Sequence, residues 1–302
     1  MKVLITGATG FLGRRLCEHL REQGYRPSAL ARDPERALRA LPLEEAHRWS
    51  ADRRPPAEAL AGVDAVVHLA GETIAGRWTP EKKQRIYESR VRGTRHLVEG
   101  LAQLDPQDRP KALVSASAVG YYGDRGEELL TEDVPAGEGL LAEVCRDWER
   151  EAQRAEGLGL RVVLLRFGIV LGRDGGALPQ MLRPFRMGLG GPLGSGRQWW
   201  AWVHRDDAVG LIAFALGNET LAGAVNVVAP ERVRQKRFAR TLGKVLRRPA
   251  WLPVPAWALR IALGEFAETL LASTRAVPYK AQRAGYRFRF PRLEEALREI
   301  LR

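Results

Sequence analysis

Three glycines spaced three apart, Gly7, Gly10 and Gly13, follow the apolar run Lys2-Val3-Leu4-Ile5-Thr6 and open an amphipathic stretch that starts near residue 11. That spacing has a physical use. Gly7 permits a tight turn, Gly10 lets the backbone approach a pyrophosphate, and Gly13 lets a helix pack closely on the strand. The free N–H groups and dipole of the helix start favour anionic phosphates. The next apolar run ends Ala29-Leu30-Ala31-Arg32-Asp33. A carboxylate at such a strand end holds the ribose 2′-hydroxyl of NAD, whereas an arginine suits a 2′-phosphate through charge-assisted hydrogen bonds. Arg32 comes first, so the pattern points to NADP. Asp33 leaves NAD as the lesser alternative, unless it caps the helix opened by Pro34.

Placing these residues requires alternating strands and helices. Strands are expected at 2–6, 26–31, 64–69, 111–117 and 161–167, with amphipathic helices between them, such as 11–23, 81–104 and 140–156. The pattern predicts an α/β fold, a doubly wound parallel sheet. From Gly172 to Trp202 glycine recurs eight times and three tryptophans follow. A long glycine-rich loop inside a compact domain is usually functional, and Trp199 and Trp200 are the residues expected to close over a substrate. A helix near 207–217 and a short strand at 224–228 come next.

The 302 residues suit two small domains or one large one with an appendage. Net charge is +12, and residues 231–302, with 14 arginines, 3 lysines, 6 glutamates and no aspartate, carry +11 of it. Charge of that kind suggests nucleic acid or an anionic surface. The residues themselves argue for a folded cap instead. Arg232, Lys236, Arg240 and Lys244 make the solvated face of a helix whose other stripe holds Phe238, Leu242 and Val245. Tyr286-Arg287-Phe288-Arg289-Phe290 alternates as a half-buried strand does, and Leu293, Leu297, Ile300 and Leu301 line a last helix. Neither nucleic acid nor a membrane is therefore expected as a partner. The five histidines have no metal-ligand spacing, and Cys17 and Cys145 form no CxxC pair. The apolar stretch 251–271 contains Pro253, Pro255, Arg260, Glu265 and Glu268, so it cannot span a bilayer as one apolar helix. With a strand directly after Met1, no signal peptide is read, and a cytoplasmic location is the expectation.

The ordered motifs Thr6-Gly7-Ala8-Thr9-Gly10-Phe11-Leu12-Gly13, Asp64 to Gly71, Gly93-Thr94, Ser115-Ala116-Ser117, Arg166 to Gly172, Trp202 to Asp207 and Gly223 to Val227 resemble the short-chain dehydrogenase/reductase superfamily. The resemblance is to its extended, nucleotide-sugar-epimerase-like branch and covers roughly residues 1–230. Gly71-Glu72, Ser89-Arg90, Trp148-Glu149 and Gly188 to Pro192 are similar to an atypical subgroup sometimes labelled cell-division-inhibitor-like. The resemblance implies a Rossmann domain at 1–172 and 203–228, and a smaller C-terminal α/β cap at 173–202 and 229–302. It implies that Thr9, Phe11 and Leu12 border the cofactor beside the three glycines. Leu69, Ala70 and Gly71 would border it too, with Asp52 near the adenine and Phe167, Gly168 and Ile169 beside the nicotinamide. A homodimer is what the family suggests.

The superfamily's chemistry uses Tyr-x-x-x-Lys on one helix, the lysine lowering the tyrosine pKa while the nicotinamide exchanges a hydride. Here the expected helix, Leu140 to Glu151, holds neither residue, and no lysine occurs between Lys111 and Lys236. Arg90 stands where related enzymes carry asparagine. Always charged and without an acceptor, it fits a phosphate-facing role, with Arg85. Ser117, allowing one inserted residue, sits at the catalytic serine, and Tyr121 or Tyr122 would supply an acid. Two functions follow. One is an NADP-dependent oxidoreductase or epimerase exchanging hydride at a carbonyl or alcohol carbon of a small molecule. The other is a non-catalytic NADP(H)-binding regulatory or scaffold module.

Overall fold

The computed structural model describes residues 1–302. In chain order the elements begin β1 (Lys2–Thr6), α1 (Phe11–Glu22), β2 (Arg26–Ala31), α2 (Pro34–Ala40), β3 (Glu45–Arg48), α3 (Ala57–Leu60), β4 (Ala65–His68), α4 (Pro80–Tyr87) and α5 (Gly93–Ala102). They continue β5 (Ala112–Ala118), β6 (Leu129–Leu130), α6 (Leu140–Gln153), β7 (Arg161–Phe167), β8 (Ile169–Leu171), α7 (Leu178–Arg186), β9 (Trp199–Trp200), β10 (Trp202–His204), α8 (Arg205–Gly217) and β11 (Gly223–Val227). The last are β12 (Val233–Arg234), α9 (Gln235–Leu246), α10 (Ala256–Leu263), α11 (Phe266–Leu271), β13 (Arg275–Ala276), α12 (Tyr279–Arg283) and α13 (Leu293–Ile300).

Seven strands form one sheet in the order β11-β7-β5-β4-β1-β2-β3, all its pairings parallel. Strands buried on both faces need apolar residues at every position, and Val3, Leu4, Ile5, Val66, Val67, Leu113, Val114, Val163 and Leu165 supply them. The order reverses between β1 and β4, which opens a crevice at the carboxyl edge of the sheet. One apolar cluster joins β1, β4, β5 and β7 to α1 and α8. A second lies on the opposite face, under α3 and α5. The third, with Leu178, Leu182, Phe185, Trp200, Trp202, Phe238, Leu242, Leu293 and Leu297, is built largely from the later chain. Ala281, Ala284, Tyr286 and Phe288 come from the same late segment but pack against the sheet's own core.

Three local expectations need correction. Short strand β3 lies outside the runs read above, because its sequence Glu-Ala-His-Arg has no apolar signature. The glycine-rich stretch is not one loop. Leu178, Leu182 and Phe185 share a face and fold it into α7, which a left-handed Gly188 follows. Residues 286–290 alternate but do not pair as a strand. The buried Asp207 carboxylate instead accepts the amides of Arg289 (2.6 Å) and Phe290 (2.9 Å), and the Tyr286 hydroxyl donates to the Asp207 carbonyl at 2.9 Å. The expected cap helices do form as α9 and α13, with Phe238, Leu242, Leu293, Leu297 and Ile300 buried. No helix is long and apolar enough to cross a membrane.

Candidate functional site

The first turn of α1 is open. Gly10 stands at its N-cap without a side-chain bond, and no acidic residue follows in that turn. The first amides of α1 therefore lack a capping side chain and suit an anion. The glycines differ in what they permit. At Gly13 a Cβ would come within 2.2 Å of the Gly7 carbonyl oxygen, so only glycine lets α1 lie against the loop. Gly7 has φ +70 and abuts Leu69 and Ala70, which ties the loop to the end of β4. Phe11 is clasped by Gly172, Gly175 and Gly176, and the Arg205 guanidinium lies 5.4 Å from its ring centre.

A hydrogen-bonded chain fixes the crevice floor. The Leu69 and Ala70 amides both donate to Thr6 Oγ1 at 3.1 Å. Thr6 Oγ1 meets His68 Nδ1 at 2.7 Å, His68 Nε2 meets Thr94 Oγ1 at 2.9 Å, and Thr94 donates to the Arg90 carbonyl at 2.6 Å. Since each hydroxyl has one proton, Thr94 accepts from Nε2–H and Thr6 donates to Nδ1, which assigns the tautomer. Burial lowers the His68 pKa to about 4, so the ring is neutral. His68 is thus a satisfied core residue.

At the end of β2, Arg32 is exposed, and Asp33 caps α2 by accepting the Arg36 amide at 3.0 Å. The acidic residue is spent locally while the basic one is free. Lys82 and Arg85 of α4 gather with Arg32 around Glu72. Lys82 Nζ donates to Glu72 Oε1 at 2.9 Å, and that bond is the main reason the carboxyl is held below the usual range. One carboxylate is thus paired with Lys82 and lies in the field of Arg32, Arg85 and Arg90. Asp52 is exposed and bonded to Ser50 and Arg53.

Between α4 and α5 the chain makes a π-turn, Glu88–Arg92. Such turns insert one extra residue and recur at functional sites. The turn carries Arg90 at its centre. Its Nη1 donates to the carbonyls of Glu72 (2.9 Å) and Ile86 (3.4 Å), and its guanidinium lies 5.2 Å from the Trp148 ring centre.

Across the sheet, β5, α6 and β7 share a buried network. Ser117 Oγ donates to Glu149 Oε1 at 2.6 Å. Arg166 donates from Nε and Nη2 to the two Glu149 oxygens, both at 2.8 Å. Burial disfavours the charged guanidinium, yet the bonds to Glu149 outweigh it and raise the Arg166 pKa. Arg166 Nη1 also reaches Tyr122 Oη (3.0 Å) and the Glu132 carbonyl (3.1 Å). The Ser117 proton is committed to a carboxylate, so Oγ offers lone pairs and cannot also polarise a carbonyl.

The expected catalytic pair separates. Tyr122 is 0% exposed, with hydrogen bonds to Asn226 Oδ1 (2.7 Å) and the Thr131 carbonyl (3.1 Å). Burial pushes its phenol up to about 12. It is a core polar residue, which corrects its reading as an acid. Tyr121 is half-buried, its hydroxyl makes no hydrogen bond in the protein, and its ring centre lies 3.6 Å from the Arg166 guanidinium. Cys145 of α6 lies against Ser117 and Arg90, and burial pushes its thiol up to about 12. Phe167 is buried at the end of β7, while Gly168 packs against the Ala201 carbonyl and Ile169 pairs beside Trp202.

The tryptophans divide as well. Trp200 is 4% exposed and donates to the Leu270 carbonyl, within the third apolar cluster. It is core, which corrects its reading as a substrate contact. Trp199 is half-buried between the guanidinium groups of Arg234 (4.5 Å) and Arg275 (4.8 Å), with Nε1 donating to Glu127.

Sequence reasoning missed Glu149, Arg166, Lys82 and Glu72 as site residues. A signal existed for Arg166, a charge inside the otherwise apolar run 162–167 that requires a buried partner.

Residues 3–228 match the NAD dependent epimerase/dehydratase family, and residues 254–300 match a domain of unknown function, DUF1731. The chain is 42% identical over 309 residues to the chloroplastic epimerase family protein SDR39U1 homolog of Arabidopsis thaliana, covering all of this chain and 87% of that one. It is 40% identical to the epimerase family protein YfhF of Bacillus subtilis, covering 100% and 98% of the two chains. The crystal structure of human epimerase family protein SDR39U1 (isoform 2) with NADPH superimposes with a TM-score of 0.86 at 32% identity, covering 99% of each chain.

Proposed function

The chain belongs to the NAD dependent epimerase/dehydratase family, and from that premise we propose that it binds NADP(H) along the carboxyl edge of the sheet. Its reaction would be hydride exchange at a carbonyl or alcohol carbon of a small molecule, without a Tyr-x-x-x-Lys pair. The observation that carries the cofactor choice is the trio Arg32, Lys82 and Arg85 around the lone carboxylate of Glu72. A dianionic 2′-phosphate would complete that cluster. The NADPH named with the human relative agrees with it. The residues fit the rest of the group. Open amides at the start of α1, beside Thr9, Phe11 and Leu12, suit the pyrophosphate. Leu69, Ala70 and Gly71 form the crevice floor, Asp52 flanks the adenosine side, and Phe167, Gly168 and Ile169 flank the nicotinamide side. Residues 173–202 and 229–302 would cap the substrate.

When bound, the nicotinamide supplies or removes the hydride. Ser117 Oγ would accept a hydrogen bond from a substrate hydroxyl, because its own proton is held by Glu149. Tyr121 Oη is the phenol left to exchange a proton, with its ring fixed by Arg166. Trp199 would border the ligand on the cap side.

Titration calorimetry with NADPH and NADH tests the cofactor, and tighter binding of NADPH is expected. Equal affinities would overturn the assignment. A panel of carbonyl compounds screened for NADPH oxidation tests turnover. Activity that survives undiminished in Tyr121→Phe and Ser117→Ala would remove both from the chemistry. The second reading, a non-catalytic NADP(H)-binding module, has one observation in its favour. On α6, Cys145 keeps its proton and Glu149 is committed to Arg166.

A further inference from the structure

The arginines of α4 and the following turn both feel the Glu72 carboxylate, but Arg90 also packs on Gly71 and on α6. Arg32, which follows β2 on the β1-β2-β3 side of the sheet, shares the field of Glu72 with Arg85. Arg90 lies against Gly71, which follows β4, and against Cys145 and Trp148 of α6. α6 packs on β5, where Ser117 lies beside Cys145. In the strand order, β4 and β5 lie on the other side of the reversal from β2. A dinucleotide laid across that reversal places its two nucleotides on opposite sides. Its 2′-phosphate end goes with Arg32, so its nicotinamide nucleotide goes with Arg90.

The guanidinium is equipped for that place. Nη1 is spent on the carbonyls of Glu72 and Ile86. Nε and Nη2 have no hydrogen bond in the protein, and neither is sealed from solvent. At Gly71 a Cβ would come 3.3–3.5 Å from the guanidinium, so the glycine lets this largely buried group lie close against the backbone after β4. Stacking on Trp148 fixes the plane. No lysine of α6 is present to supply a positive charge there.

We propose that Arg90 is a cation for the nicotinamide-ribose half of the cofactor, donating from Nε and Nη2 to that half while the Arg32 cluster holds the 2′-phosphate. This refines the phosphate-facing role expected for Arg90 beside Arg85, and it rests on the NADP(H) reading above. It assigns to the turn between α4 and α5 the fixed charge that α6 lacks.

The test compares two ligands that share one end. NADPH carries both halves, whereas 2′,5′-ADP carries only the adenosine 2′-phosphate half. Arg90→Gln and Arg90→Lys are titrated with each by calorimetry, with circular dichroism melting as the folding control. Arg90→Gln is expected to weaken NADPH about tenfold, as loss of a charged hydrogen bond does, and to leave 2′,5′-ADP within twofold. Arg90→Lys should recover part of the NADPH affinity. Arg32→Ala should weaken both ligands. Equal loss of both ligands in Arg90→Gln, or loss of neither, would overturn the proposal. If the unaltered chain binds 2′,5′-ADP and NADPH no better than NADH, the cofactor reading fails first and this inference with it.

Discussion

The crevice has two walls of opposite construction. The wall after β2 is a rim of long-chain cations, the exposed Arg32 and Arg85 and the half-buried Lys82, held by one part-exposed carboxylate. The wall of β5, α6 and β7 is a closed network in which Arg166, Glu149, Ser117 and Tyr122 bond one another out of water. A rim with more positive than negative charge is incomplete and calls for an anion. A satisfied network asks for nothing. That is why the cofactor can be argued from the residues, and why the chemistry reduces to Tyr121 and the lone pairs of Ser117.

The largest effect should separate the walls by stability. Glu149→Ala would leave the Arg166 guanidinium buried without its carboxylate, at a cost of roughly 3–5 kcal/mol. Urea denaturation measures it. Arg32→Ala should leave the denaturation midpoint in place. A loss from Glu149→Ala no greater than that of an exposed pair, about 1 kcal/mol or less, would break the contrast.

A pH effect comes next, at the joint between the walls. The His68 pKa is lowered from 6.5 to about 4 by burial. The unfolded chain therefore binds the extra proton between those values, and stability falls as pH drops through that window. The shift corresponds to up to roughly 3 kcal/mol, all of it present above about pH 6.5. Denaturation curves from pH 7 to 4 should show the slope, and His68→Gln should flatten it. An identical slope in both would mean that the Thr6–His68–Thr94 chain does not control the acid side.

Much of the rim and little of the network was legible in the sequence. Gly7, Gly10, Gly13 and Arg32 lie at the ends of adjacent elements, so their roles follow from short-range spacing. Asp33 could be read as a cap for the same reason. Ser117, Glu149 and Arg166 stand 32 and 17 residues apart around Glu149, and only the register of β5 with β7 brings them together. Tyr121 and Tyr122 are adjacent and equivalent on paper. The turn after β5 turns one onto the Arg166 face and the other into the core. Trp199 and Trp200 separate because neighbours on a strand point to opposite faces. The π-turn at Arg90 has no local sequence mark, since it depends on how α4 and α5 must each pack.

At the rim, Arg32→Ala should weaken NADPH by about tenfold to a hundredfold, the cost of a charge-assisted bond of roughly 1.5–3 kcal/mol. NADH, which lacks the 2′-phosphate, should be unaffected. A parallel loss of NADH in calorimetry would move Arg32 from the 2′-phosphate to a part both cofactors share.

The smallest effect concerns Glu72, and its sign decides what the carboxylate is for. Lys82 holds it ionised, so it repels an incoming phosphate dianion and competes for Lys82. Glu72→Gln keeps the shape, removes the charge and frees Lys82 Nζ. NADPH affinity should then rise about twofold to threefold, in keeping with the roughly 0.5 kcal/mol of a partly exposed pair. The gain should shrink as salt rises and the Debye length shortens, with NADH unchanged. A weaker NADPH complex in Glu72→Gln would reverse the reading. Glu72 would then hold Lys82 in place for the phosphate, and the rim would depend on its own internal bond as the buried wall does.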